Sequence, residues 1–139
     1  MEPHYLALSR AFGAAFYFIT VSYLLGYVLN PRTFTTDKLY GAAAAFLMLG
    51  VLWSYFYAMV LSFYPGALSA GGSPMTQFQM SDLVYFSFTV RTSTGFGDIT
   101  PVHPVIRMLC VLEQVAGVLY LAILIARLAS AYPSPGERG

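Results

Sequence analysis

The sequence predicts an all-α integral membrane protein, and three observations carry that prediction. Of the 139 residues, 58% are hydrophobic and only 9% are charged, whereas soluble domains carry about 25% charged residues. Three apolar stretches also reach the roughly 20 residues that a helix needs to cross a bilayer. The formal charge is only +1, so no basic face indicates binding to nucleic acid. The single cysteine, Cys110, excludes a disulfide within the chain.

The first apolar stretch runs from 11 to 29 and contains no charged residue. It is not preceded by the basic region of a signal peptide, and it is longer than the usual apolar core of about 7–15 residues. We therefore expect a membrane helix here. Together with the short polar turn after it, which contains Pro31, this helix forms a first unit over residues 1–38.

The second and third apolar stretches differ in their charges. The second, 39–64, contains none. The third, 105–132, has Arg107 and Arg127 near its ends and Glu113 inside it. Both are long enough to span a bilayer, and a polar tail over 133–139 follows the third.

The link between these two helices, 66–104, begins as a loop rich in Gly, Ser and Pro. A short amphipathic helix from Ser81 to Thr92 is predicted next, with Ser81 as its N-cap and Asp82 in the first turn, where the helix dipole favours an acid. At about 16 Å this helix is too short to span. A helix that enters the membrane and returns is tolerated only where protein or a water-filled cavity surrounds it.

The residues after the short helix, 92–98, read TSTGFGD. Gly95 and Gly97 adopt positive φ at little cost, and alternating such residues lets successive carbonyls point to one side of an extended strand. A row of carbonyl oxygens replaces the water around a cation, and four chains around one axis would close the oxygen cages of a potassium filter. The short helix would direct its negative C-terminal end towards the cavity below.

The stretch Tyr85–Pro101, YFSFTVRTSTGFGDITP, resembles the pore helix and selectivity filter of the tetrameric potassium-channel pore-domain family. The family's filter reads Thr-Val-Gly-Tyr-Gly-Asp, and the residues in those positions are, in order, Ser93, Thr94, Gly95, Phe96, Gly97 and Asp98. Thr94 departs from the pattern, because it adds a hydroxyl where the family packs an apolar side chain. The wider stretch 36–132 is similar to small bacterial potassium or two-pore-domain-like ion channel proteins.

The resemblance implies a potassium-channel pore domain over 39–132, with the first helix as an additional element beside it. Its parts are an outer helix (39–64), a re-entrant pore loop (66–104) and an inner helix (105–132). One pore segment per chain implies a homotetramer, since the cage needs four. K⁺ would be bound by the TGFGD-type filter, at the carbonyls of Ser93, Thr94, Gly95 and Phe96, with Gly97 beside them, and at the Ser93 hydroxyl.

The resemblance also assigns supporting roles outside the filter. Tyr85 and Thr89 occupy the pore-helix positions from which the family tethers the filter aspartate; Thr89 is no carboxylate, so we expect a Tyr85–Asp98 bond. Gly117 falls at the family's hinge glycine, although close helix packing is an equally good interpretation. The inner-helix residues expected to face the cavity are Val118, Leu121 and Ile125; they are apolar, which makes a dewetting gate conceivable.

Arg91 is the largest departure from the family, which has a small or apolar residue there. An arginine near membrane mid-depth costs at least about 2.5–3.5 kcal/mol, so it needs a partner. Glu113, the acid within the third helix, is the first candidate, within one subunit or between two. The alternatives are hydrogen bonds to carbonyls at the end of the pore helix, or an arginine that disturbs the filter or repels cations.

The implied topology places the filter outside and the C-terminus in the cytoplasm, in a membrane expected to be a bacterial inner (plasma) membrane. The turn after the first helix is then cytoplasmic as well. Basic residues would be divided four inside and two outside, in agreement with the positive-inside rule. The inside set is Arg32, Lys38, Arg127 and Arg138, and the outside set is Arg10 and Arg107.

The function implied is a potassium-selective channel that conducts K⁺ passively, with lipid and further copies of the chain as partners and no nucleic acid. No enzyme motif is present, and no cofactor is expected apart from the permeant ion. Thr94 and Arg91 leave open a weakly selective Na⁺/K⁺ channel. A third possibility is a non-conducting scaffold or regulatory subunit that assembles with other chains. Uptake systems that join four unequal pore loops in one long chain are disfavoured by the single short copy here.

Overall fold

The computed structural model describes residues 3–30 and 36–131, which form four helices and three short strands. In chain order these are α1 (Pro3–Leu29), α2 (Thr36–Phe63), β1 (Leu68–Ala70), β2 (Ser73–Pro74), α3 (Met80–Arg91), β3 (Ile99–Pro101) and α4 (Pro104–Ala131). Three helices are long and apolar enough to cross a membrane, over Leu8–Val28, Asp37–Phe63 and Pro104–Ser130. The fold is therefore the predicted all-α membrane fold, with the short helix α3 between the second and third spans.

The helix boundaries follow local signals at their ends. α2 begins three residues earlier than predicted and carries Asp37 in its first turn, where the helix dipole favours an acid. It ends at Phe63, shortly before Pro65. α4 begins at Pro104, because the fixed φ of proline suits the first position of a helix. Arg32, Arg138 and the predicted tail 133–139 lie outside the described residues.

α1 packs antiparallel along α2, and contacts at both ends fix the pair. The ring of Tyr55 lies directly against Gly13, where any Cβ would overlap it. At one end the Arg10 guanidinium donates to the Ser62 hydroxyl over 2.6 Å. At the other end Lys38 Nζ donates to the carbonyl of Asn30 over 2.8 Å, so the additional helix is attached to α2 near both of its ends.

The core lies where α2, α3 and α4 meet. Large buried side chains from all three helices and from β1 form one cluster, whose fully or nearly fully buried members include Tyr57, Leu61, Leu68, Leu83, Phe86 and Ile106. Gly50 of α2 lets the ring of Phe88 approach, because a Cβ there would lie 2.7 Å from the ring. α3 thus buries one face against protein, while Ser81 and Tyr85 on its other side are exposed on the single chain. A helix that enters a membrane without crossing it needs protein or a water-filled cavity around it.

A three-stranded antiparallel sheet replaces part of the predicted Gly/Ser/Pro loop. β1 is its central strand and pairs with β2 on one side and β3 on the other. β3 begins directly after Asp98, and the Gly71 amide donates to the Asp98 carbonyl over 3.1 Å. Strands of two or three residues have too few positions to show an alternating pattern, so they were not predictable from the sequence. The sheet joins the end of α2 to the exit of segment 92–98.

Candidate functional site

The N-cap of α3 lies two residues before the predicted N-cap, Ser81. It is Gln79, and the carboxylate of Asp82 accepts a hydrogen bond from the Gln79 amide over 2.8 Å. The prediction of Ser81 as N-cap is therefore wrong. Asp82 is in the first turn as expected. Its hydrogen bond with the Gln79 amide determines where the helix begins.

α3 ends in a Schellman motif that leads the chain into segment 92–98. Thr92 is the C-cap. The Ser93 amide donates to the Val90 carbonyl and the Thr94 amide donates to the Thr89 carbonyl, both over 2.9 Å, which is the pair of bonds that defines the motif. Ser93 has a φ of +56° in a position usually taken by glycine, and this left-handed conformation costs a non-glycine residue about 1–2 kcal/mol.

Positive φ recurs at every second residue of the segment. Gly95 has a φ of +53° and Gly97 of +82°, after Ser93. The Gly95 amide also donates to the Thr89 carbonyl, over 3.1 Å, so successive amides are directed at the end of α3. Among the described residues, none donates a hydrogen bond to the carbonyl oxygens of residues 93–96, and residues 92–98 are all exposed on the single chain.

The hydroxyl groups of the segment have partners within the chain. The Thr92 hydroxyl donates to the Phe88 carbonyl over 2.7 Å. Its oxygen lies 2.8 Å from the Thr94 hydroxyl oxygen, and because its proton is already donated, Thr94 is the donor of that pair. The Ser93 hydroxyl accepts a hydrogen bond from the side-chain amide of Gln114 over 3.0 Å. The hydroxyl that distinguishes Thr94 from the family pattern is therefore satisfied locally.

The expected bond between Tyr85 and Asp98 is present, with the Tyr85 hydroxyl donating to the Asp98 carboxylate over 2.8 Å. This bond lowers the pKa of Asp98 below its usual range, and it raises the pKa of Tyr85 above its own. The ring of Phe96 stacks on Tyr85 at 6.2 Å between centroids. Thr89 takes no part in this tether, because its hydroxyl donates to the Phe86 carbonyl of its own helix.

A buried polar cluster lies behind the segment, where the core helices meet. Arg91 Nε is 3.5 Å from Glu113 Oε1, and both side chains are fully buried, so the expected pair forms within one chain. Glu113 also accepts a hydrogen bond from the Tyr57 hydroxyl and one from the Ser87 hydroxyl, each over 2.6 Å. The Ser87 oxygen is also 2.7 Å from the Gly50 carbonyl. One carboxylate therefore links α2, α3 and α4.

The guanidinium of Arg91 is held by charge and packing rather than by hydrogen bonds. Within residues 3–30 and 36–131, none of its three nitrogens has a hydrogen-bond partner. Its central carbon lies 5.2 Å from the centre of the Phe46 ring, a cation–π distance. Gly117 lies against the same residue, and a Cβ there would be 3.0 Å from the Arg91 carbonyl oxygen. Close packing thus accounts for Gly117 in this structure.

The residues expected to face a cavity follow Gly117 along α4. Val118, Leu121 and Ile125 are each at least 43% exposed on the single chain. The structure therefore brings together Tyr85 with Asp98 and Arg91 with Glu113 beside the predicted filter segment, and it leaves the predicted cavity residues on an open helix face.

Three residues of the site were not anticipated from the sequence. Tyr57 and Ser87 hold Glu113, and Gln114 holds Ser93. Tyr57 is 56 residues from Glu113 along the chain, and tyrosine and serine are common in membrane helices, so neither carried a signal. Gln114 could have been found, because a polar amide beside a charged residue within a membrane helix needs a partner.

Comparison with known proteins identifies one family. A family model described as an ion channel matches residues 38–133. Neither the curated proteins nor the solved structures contain a match.

Proposed function

Because the chain belongs to the ion channel family, in agreement with the potassium-channel pore-domain resemblance of its sequence, we propose that it forms a homotetrameric channel selective for potassium. The chain is an integral membrane protein, and the function of its family is ion transport. In the proposal, K⁺ passes down its electrochemical gradient along the common axis of four copies of segment 92–98. No cofactor takes part, since the ion is itself the cargo.

The alternation of positive φ at Ser93, Gly95 and Gly97 is the observation that carries the proposal. The amides of Ser93, Thr94 and Gly95 are directed at the end of α3, so the carbonyls between them are left for another partner. Four exposed carbonyls without a donor are costly unless water or a cation satisfies them. Rings of backbone carbonyls are the ligands that potassium filters use in place of the ion's hydration shell.

The buried position of Arg91 favours potassium selectivity over a weakly selective Na⁺/K⁺ pore. An arginine facing the axis would repel cations, but this one is 2% exposed and paired with Glu113. The Thr94 hydroxyl likewise forms a hydrogen bond with the Thr92 hydroxyl. Neither departure from the family pattern therefore places an additional charge or an unpaired hydroxyl among the proposed ion ligands.

The orientation we propose places segment 92–98 at the outer surface of a bacterial inner membrane. Arg10 lies at the sheet end of the molecule, where it contacts Ser62 and the ring of Phe78. Lys38 and Arg127 lie at the opposite end, each against a carbonyl at the end of α1. Arg107, which donates to the Pro101 carbonyl of β3, lies at the sheet end with Arg10, so the described residues divide two and two. The two further arginines that the sequence assigns to the opposite side, Arg32 and Arg138, then favour a cytoplasmic position for that end by the positive-inside rule.

Ion flux from liposomes that contain the purified protein tests the proposal. We expect potassium efflux that barium blocks, no sodium efflux under the matched gradient, and a particle mass of four chains. As a control, Gly95→Ala places a Cβ on a residue with φ of +53° and no atom within 4 Å of that Cβ, so it strains the segment without a steric clash. Equal flux of both ions would instead indicate a non-selective channel. A protein that does not form tetramers alone would point to a hetero-assembling subunit.

A further inference from the structure

We propose that Gln114 is a positioning residue for the potassium site at Ser93. The inference rests on the proposed function, because it concerns the ion site at the start of the proposed filter. It adds a residue of α4 to a site otherwise formed by segment 92–98. The contact that motivates it is the hydrogen bond of 3.0 Å from Gln114 Nε2 to Ser93 Oγ.

The bond restricts both rotations of the Ser93 side chain. The backbone of Ser93 is already held by the Schellman motif, with its amide bonded to Val90. The rotation about Cα–Cβ, with its three staggered positions, and the rotation of the hydroxyl about Cβ–Oγ are then open. A serine hydroxyl has two acceptor lone pairs. Because Gln114 donates to one of them, it selects the position of the oxygen and leaves one lone pair for a cation.

Gln114 is itself held firmly with respect to α3. The preceding residue, Glu113, is bonded to Ser87 of α3. Gly117, about one turn further along α4, packs on the Arg91 carbonyl at the end of α3. These two contacts flank Gln114 and hold this part of α4 against the end of α3. The backbone of Gln114 is therefore fixed within reach of Ser93, and both residues line one pocket.

A ligand oxygen that is already aimed binds a cation more tightly than one that must first be ordered. Loss of one hydrogen bond of this kind corresponds to roughly a two- to tenfold change in an equilibrium constant. Removal of the Gln114 amide should therefore weaken potassium binding at the Ser93 site by that factor. The change should depend on the Ser93 hydroxyl, because the amide acts through it.

Isothermal titration of the detergent-solubilised full chain with K⁺ in sodium buffer tests the inference. We compare the unmodified protein with Gln114→Leu, Ser93→Ala and the double variant. Gln77→Leu is the matched control, because it makes the same chemical change at an exposed residue of the loop before α3. The unfolding midpoint of each variant is measured in parallel, and we expect Gln114→Leu and Gln77→Leu to leave it equal.

We expect Gln114→Leu to raise the potassium dissociation constant roughly two- to tenfold and to have no further effect when Ser93 is alanine. An unchanged constant, or the same loss in the Ser93→Ala background, would overturn the role of Gln114 while leaving the proposed channel in place. If the unmodified protein binds no potassium, both the inference and the potassium selectivity fail. Binding without flux in liposomes would count against the channel but not against the positioning role.

Discussion

The buried carboxylate of Glu113 offers the sharpest test of how α3 is held in place. Glu113→Leu removes the oxygen acceptor of Tyr57, whose hydroxyl keeps only the Cys110 sulfur at 3.6 Å. It also removes the counter-charge of Arg91, whose nitrogens have no hydrogen-bond partner among the described residues. Ser87 loses less, because its hydroxyl still reaches the Gly50 carbonyl. Breaking a buried ion pair by removing one partner costs about 3–5 kcal/mol. We expect a loss of that size in the free energy of unfolding.

Arg91→Met should lower the free energy of unfolding much less than Glu113→Leu does. Added to Glu113→Leu, it should restore most of the lost stability. It removes a buried charge that makes no hydrogen bond within the described residues, while Glu113 keeps two short ones. Replacing a whole buried pair by apolar side chains is often neutral, so the double variant Arg91→Met/Glu113→Leu should regain most of the loss. Unfolding in mixed micelles with increasing dodecyl sulfate gives all four free energies. A loss below about 1 kcal/mol for Glu113→Leu, or additive losses in the double variant, would refute the reasoning.

Three further predictions concern single contacts. Gly117→Ala should lower the free energy of unfolding by about 1–3 kcal/mol relative to Gly26→Ala, because the new Cβ lies 3.0 Å from a backbone oxygen at position 117 and meets nothing within 4 Å at position 26; equal values in the micelle assay would contradict this. Tyr85→Phe removes the hydrogen bond that contributes most to the lowered pKa of Asp98, so this pKa should rise and the acid limit of potassium flux should move to higher pH. In the unmodified protein the bond persists from below the usual carboxyl pKa to above the usual tyrosine pKa, so flux should be flat from about pH 5 to 9. Thr94→Val should leave the ratio of K⁺ to Na⁺ flux within twofold, because the threonine hydroxyl is bonded to a neighbouring side chain; a larger change would show that this hydroxyl reaches the ions.

The parts of the fold that were predictable from the sequence are those with a strong local signal. Apolar stretches of bilayer length gave the three spanning helices, and their ends differ from the structure by a few residues, except that α1 begins at Pro3. The Arg91–Glu113 pair was predictable because a buried charge in a membrane needs an opposite charge and few acids were available. The Tyr85–Asp98 bond followed from the family resemblance.

The rest depends on contacts between segments far apart in the chain. The sheet forms because β1 pairs with β3, which lies about 30 residues later in the chain. Strands this short show no alternation of apolar and polar residues that would predict them. The acceptors and donors around Glu113 come from three helices. The start of α3 was misplaced because Asp82 bonds back to Gln79, whereas serine at position 81 was the stronger residue type for an N-cap.

The reversal potential of the protein in a planar bilayer, with K⁺ on one side and Na⁺ on the other, tests the central claim most directly. A potassium-selective pore predicts a large reversal potential of the sign that favours K⁺, which barium abolishes together with the current. A reversal potential near zero with a sustained current would show that segment 92–98 conducts both ions alike, and would contradict the account.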